Sequence, residues 1–75
     1  MKRIARQKIA ILEMLRRGPI TARDAYQKAE CLRLAARIYD LRNEGHEIVS
    51  EMVEDGDDVR VAKYWLVRER TEEAA

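Results

Sequence analysis

The stretch CLRLAARIYDLRNEG, Cys31 to Gly45, most limits how these 75 residues can fold. At about 100° per residue it places Cys31, Leu34, Ala35, Ile38 and Leu41 on one arc of a helix. Arg33, Ala36, Arg37, Asp40, Asn43 and Glu44 fall on the opposite arc. One face packs into a core and the other meets solvent or a partner. Arg33 and Arg37 stand one turn apart around the small Ala36, so guanidinium groups reach past a backbone that itself can come close to a surface. Arginine donates two hydrogen bonds to guanine in a DNA major groove and alanine presents no obstacle there. The plain alternative is a solvated face carrying an internal Arg37 to Asp40 pair.

The preceding residues supply two supporting helices. Arg3 to Arg17 has helical periodicity, with Leu12 at the centre of an apolar stripe that includes Ala5, Ile9, Leu15 and the stem of Lys8, and Ile4 and Ile11 on one shoulder. Ile11 and Met14 carry the apolar surface round the side of this helix. They are expected either to be covered by the C-terminal strand or to form a dimer contact. Arg16 and Arg17 suit the carbonyl end of the helix, and Gly18 and Pro19 stop it. After a short loop, Thr21 and Asp24 form a threonine-x-x-acid capping pattern that opens a second helix over about Ala22 to Ala29. It is expected to bury Ala22, Ala25, Tyr26 and Ala29, small side chains that permit a close helix crossing. Glu30 and Cys31 make the turn, the third helix spans about Leu32 to Glu44, and Gly45 caps it.

Beyond Gly45 the period changes from helix to strand. HEIVSEMVE and VRVAKYWLV are rich in β-branched and aromatic residues and flank the aspartate-glycine turn DGDD, which predicts a hairpin. Ala62, Tyr64 and Leu66 share one face of the second strand; Val61, Lys63, Trp65 and Val67 share the other. Ile48 is the expected inward anchor of the first. The fold class is therefore α+β: three helices followed by a two-stranded antiparallel β-hairpin, in one domain over 1–67, with a polar tail over 68–75.

A chain this short holds one small core and no separate catalytic domain. Its 47 % hydrophobic and 39 % charged residues fit a folded, soluble protein. No apolar run is long enough to span a membrane and the N-terminal MKRIARQK lacks a secretory apolar segment, so the expected location is the cytoplasm. The lone Cys31 is read as a small core residue. The net charge of +1 hides a partition. Residues 1–42 hold 11 Lys or Arg against 4 Asp or Glu, a net of +7, and residues 43–75 hold 4 against 10, a net of −6. Such a split suits a polyanion against one side of the molecule, or two copies meeting head to tail.

The runs RLAARIYDLRNEGHEI, GPITARDAYQKAE and KYWL together resemble the small helix-turn-helix domains of winged type found in phage and bacterial DNA-binding proteins. The resemblance covers about Gln7 to Leu66 and is more specific for fold than for role. It implies that the third helix is the recognition helix, with Arg33, Ala36, Arg37 and Asp40 facing the major groove and Thr21 and Arg23 near phosphate. Lys2, Arg3, Arg23 and Lys28 would add non-specific phosphate attraction. Two positions depart from the pattern: Glu30 stands where glycine is common, and the wing tip is acidic at Glu54, Asp55, Asp57 and Asp58, where phosphate contact calls for Lys or Arg.

Nothing in the sequence points to catalysis. His46 has no companion ligand in sequence, the acidic turn lacks the ligand spacing of a calcium loop, Ser50 has no base nearby, and there is no phosphate loop; no cofactor or metal is expected. The reading is a sequence-specific double-stranded DNA-binding protein, a phage or bacterial transcriptional regulator or an excisionase-like factor, acting as a monomer or homodimer. The alternative is a winged-helix interaction module that binds a protein through Ile11, Met14 and Trp65 and does not touch DNA.

Overall fold

The computed structural model describes residues 3–56 and 58–70, the side chain of Arg3 excepted. Helix α1, Arg3–Arg17, is followed by a two-residue strand β1, Ile20–Thr21, then α2, Ala22–Ala29, and α3, Leu34–Asn43. The hairpin strands β2, Glu47–Glu54, and β3, Arg60–Arg68, complete the fold. The sheet has three strands in the order β1-β3-β2, all antiparallel. The expected hairpin is there, and its second strand also pairs on its other side, Ile20 with Tyr64 and Thr21 with Lys63.

Local chemistry sets the helix ends. The Thr21 hydroxyl accepts from the Asp24 amide at 3.4 Å, and the Asp24 carboxylate accepts from the Thr21 amide at 2.9 Å, a complete capping box. Glu30 closes α2 in the left-handed region, φ 51° and ψ 32°, and its amide donates to the Tyr26 carbonyl at 3.0 Å. A residue with a Cβ is costly there, which is why glycine is common at such ends. At the end of α3 Gly45 takes φ 103°. Its amide donates to Arg42 at 3.0 Å and that of His46 to Leu41 at 3.2 Å, so the last carbonyls are satisfied as the chain turns into β2.

The core is Ile11, Leu15, Ile20, Ala25, Cys31, Leu34, Ile38, Leu41 and Ile48, with Leu12, Met14, Ala29, Tyr64 and Leu66 packed around it. Every element contributes, and β3 enters through its Tyr64 and Leu66 face. Ile48 is the inward anchor expected of β2, at 5 % exposure, opposite Leu66.

Several burial expectations are corrected. The centre of the α1 stripe is Ile11, fully buried, and not Leu12; Ile4 and Ile9 are about half exposed. Ile11 therefore has no surface for a partner. Met14 is half-buried against the core. On α2 only Ala25 is fully buried, while Ala22 and Tyr26 are exposed. On α3, Ala35 is exposed, and Leu32 and Arg33 precede the helix. Glu69 and Arg70, assigned by sequence to the polar tail, are bonded to the body of the domain. Arg16 makes a two-pronged pair with Glu69 at 2.7 and 2.5 Å, and the Arg70 amide donates to His46 Nδ1 at 3.1 Å.

Candidate nucleic-acid interface

The helical repeat divides α3 and the residues just before it into three flanks. Leu34, Ile38 and Leu41 point into the core. The second flank faces α1. There Arg37 Nε donates to Asp40 Oδ2 at 3.1 Å and Arg37 Nη1 donates to Gln7 Oε1 at 3.3 Å, while Glu44 is paired with Lys8. The Arg37 side chain keeps only 12 % of its surface exposed. The expectation that Arg37 and Asp40 project outward is thus corrected: both are tied down where α3 crosses α1.

The third flank is open. Leu32 and Tyr39 are 79 % and 66 % exposed, and Ala35 and Asn43 are exposed beside them. Ala36 is half-buried at the edge of this arc. Arg42 lies on its far edge, with Nε donating to the Ile48 carbonyl at 2.9 Å, which draws the guanidinium toward the root of the hairpin.

Arg33 is the N-cap of α3 at φ −121° and ψ 63°, exposed, with no side-chain capping bond. A cation at the positive end of a helix gains nothing from the helix dipole, and among the described residues the first amides of the helix have no side-chain acceptor. A shallow groove links this end to the rest of the fold, lined by Ala22, Leu32, Arg33, Ala35, Ala36 and Tyr64. Arg23, adjacent to Ala22, is exposed near the start of α2.

The remaining sequence-derived positions fall elsewhere or are already engaged. The Thr21 hydroxyl belongs to the capping box. Lys28 is exposed on a different flank of α2, beside Met14, Arg17, Pro19 and Asp24. Lys2 and the Arg3 side chain lie outside the described residues, as does Asp57 in the turn. The open arc at 35, 39 and 43 was legible as an i, i+4, i+8 spacing, but two arginines beside it drew the sequence reading to the neighbouring flank.

A protein-family model described as a winged helix-turn-helix domain matches residues 6–69, nearly the whole described chain. The chain belongs to the winged helix-turn-helix family. Searches among curated proteins and among solved structures each returned no match. Winged helix-turn-helix domains are in general DNA-binding modules, not enzymes, and in helix-turn-helix proteins the second helix of the motif is the one offered to the major groove. In this chain α3 is the helix that follows α2, and its open arc is the surface just described. The wing is β2 and β3 with β1 added beside β3. Its outward face carries Val49 opposite Trp65, Glu51 opposite Lys63 and Val53 opposite Val61. Trp65 is half-buried, with Lys63 Nζ 6.0 Å from its ring centre. The turn is acidic at Glu54, Asp55 and Asp58, all exposed. No helix among the described residues is long and apolar enough to cross a membrane.

Proposed function

We propose that the domain binds double-stranded DNA sequence-specifically, with α3 in the major groove, as a small phage or bacterial regulator or excisionase-like factor. The observation that supports this most directly is the pairing of an open arc on α3 with an exposed Arg33 at the helix start, whose side chain makes no hydrogen bond among the described residues. Arg33 and Ala36 meet the groove, and Arg23 meets phosphate near the start of α2. Lys2, Arg3 and Lys28 add long-range attraction, and Thr21 acts by fixing the start of α2. Arg37 and Asp40 serve by holding α3 against α1 at the angle the groove requires. The acidic turn of the wing is held away from the phosphates, because each carboxylate near a phosphate would oppose the counterion release that drives binding.

The test is fluorescence anisotropy of a labelled duplex over a series of salt concentrations. Binding is expected to weaken linearly in log affinity against log salt, with a slope of about −0.9 for each phosphate neutralised. Arg23→Ala should make that slope shallower by about one contact. No binding at low salt would reject the reading.

A second reading has one observation in its favour: the outward wing face, where Val49 is 45 % and Val67 56 % exposed around Trp65, has no covering element among the described residues. An apolar face of that kind suits a protein partner or a second copy of the chain. Sedimentation at rising concentration distinguishes a self-associating domain from a monomer.

A further inference from the structure

We infer that α3 reads an A·T-rich core through Ala35, Tyr39 and Asn43, with guanine reading confined to the two ends of that surface, at Arg33 and Arg42. The inference rests on the DNA-binding reading above and deepens it. Guanine is read in the major groove chiefly by a free arginine or lysine, which forks onto O6 and N7. Of the two arginines in the helix body, Arg37 is engaged through Nε and Nη1 and Arg42 through Nε alone. Arg37 bridges Asp40 and Gln7 on the flank that faces α1, about 160° round the helix from Tyr39, so releasing its bonds would still leave it aimed away from the groove. Arg42 donates through Nε to the Ile48 carbonyl near the C-terminal end of α3, which leaves its Nη groups able to fork onto a base there. Arg33 lies at the N-cap, so Arg33 and Arg42 stand at opposite ends of the contact surface.

What the open arc presents is different chemistry. Ala35 offers a methyl group suited to packing on the thymine 5-methyl group. Asn43 is exposed and its side chain makes no hydrogen bond among the described residues, so its amide is free to pair with N6 and N7 of adenine. Tyr39, 66 % exposed, is a large flat side chain between them, able to cover a thymine methyl group with its ring and to reach a base edge or phosphate with its hydroxyl. From Ala35 to Asn43 the helix rises about 12 Å, which spans roughly three to four base pairs. Such a core is bordered at the Arg33 and Arg42 ends by the positions where guanine fits.

The experiment is selection from a pool of duplexes with a randomised centre, followed by titration of the selected site and of the same site with uracil in place of thymine. Selected sites should share a run of A·T pairs, and removing the thymine methyl groups should lower affinity several-fold. Asn43→Ala should reduce discrimination at one A·T pair by roughly 5- to 150-fold, the range for one bidentate base contact. Tyr39→Phe, which keeps the ring, should retain the response to uracil. Circular dichroism confirms that each variant is folded. Selected sites with a G·C core, or equal affinity for thymine and uracil duplexes, would overturn the inference while leaving DNA binding in place. Failure to bind any duplex would remove the DNA-binding reading itself, and this one with it.

Discussion

Ile11, Arg37 and Arg33 stand in three different environments, and substitutions at them should separate stability from binding. Ile11 is fully buried among the helices, so Ile11→Ala should cost about 2 to 5 kcal/mol in denaturant unfolding. A residue on a free partner face would change stability hardly at all. Arg37→Ala removes the bridge to Asp40 and Gln7 and should lower affinity equally for all duplexes, through a less firmly seated α3. Arg33→Ala should leave unfolding almost unchanged and cost about 1 to 3 kcal/mol on the preferred site, with relaxed choice at one position. Gel-shift titration on the preferred and on scrambled duplexes checks both. The helical wheel placed Leu34, Ile38 and Leu41 in the core correctly, yet it put Arg33 and Arg37 on one outward arc. Ala35 was the reason: as a small apolar residue it reads equally well as core or surface, and counting it as core turned the whole wheel toward the arginines.

Helix ends and the hairpin were the most legible elements, because their chemistry is local. Thr21 with Asp24, Gly18 with Pro19, Gly45, and the aspartate-glycine turn each act within a few residues. The two-residue β1 was not legible: Ile20 and Thr21 form a strand only because β3 lies alongside, and no period can be read from two positions. The buried stripe of α1 was also obscure. Ile4, Ile9, Ile11, Leu12, Met14 and Leu15 surround much of that helix, and only the position of its neighbours selects Ile11 and Leu15. Glu30 gives the test at this scale. Since it holds φ 51° with a Cβ, Glu30→Gly should stabilise the domain by about 0.5 to 1 kcal/mol, seen as a raised Tm. A lower Tm would mean that the glutamate side chain makes a contribution larger than the strain it imposes.

Across the whole molecule, the last turn of α1 is clasped to the segment that follows β3. Arg16 donates to Glu69 from α1 to the residue after β3, and that hydrogen bond holds the Glu69 carboxyl below the usual glutamate range. A carboxyl whose pKa is lowered on folding stabilises the fold above its unfolded value, about 4.3, and that contribution disappears as the pH falls through the lower folded value. Acidification should therefore destabilise the domain, and Glu69→Gln should flatten that part of the Tm against pH curve. The effect is small because both groups are at the surface. The charge partition works at the same scale: the basic half contains α1 to α3 and the acidic half contains the wing, and on the proposed function a duplex would be drawn to the helices and turned from the hairpin tip. The most direct test of that arrangement is a titration of ¹⁵N-labelled protein with its selected duplex, following every backbone amide. Binding through α3 should concentrate the shifts at Arg23, Arg33, Ala35, Ala36, Tyr39 and Asn43 and leave Val49, Trp65 and Val67 unmoved. Shifts confined to the Trp65 face, with the α3 arc unaffected, would contradict it.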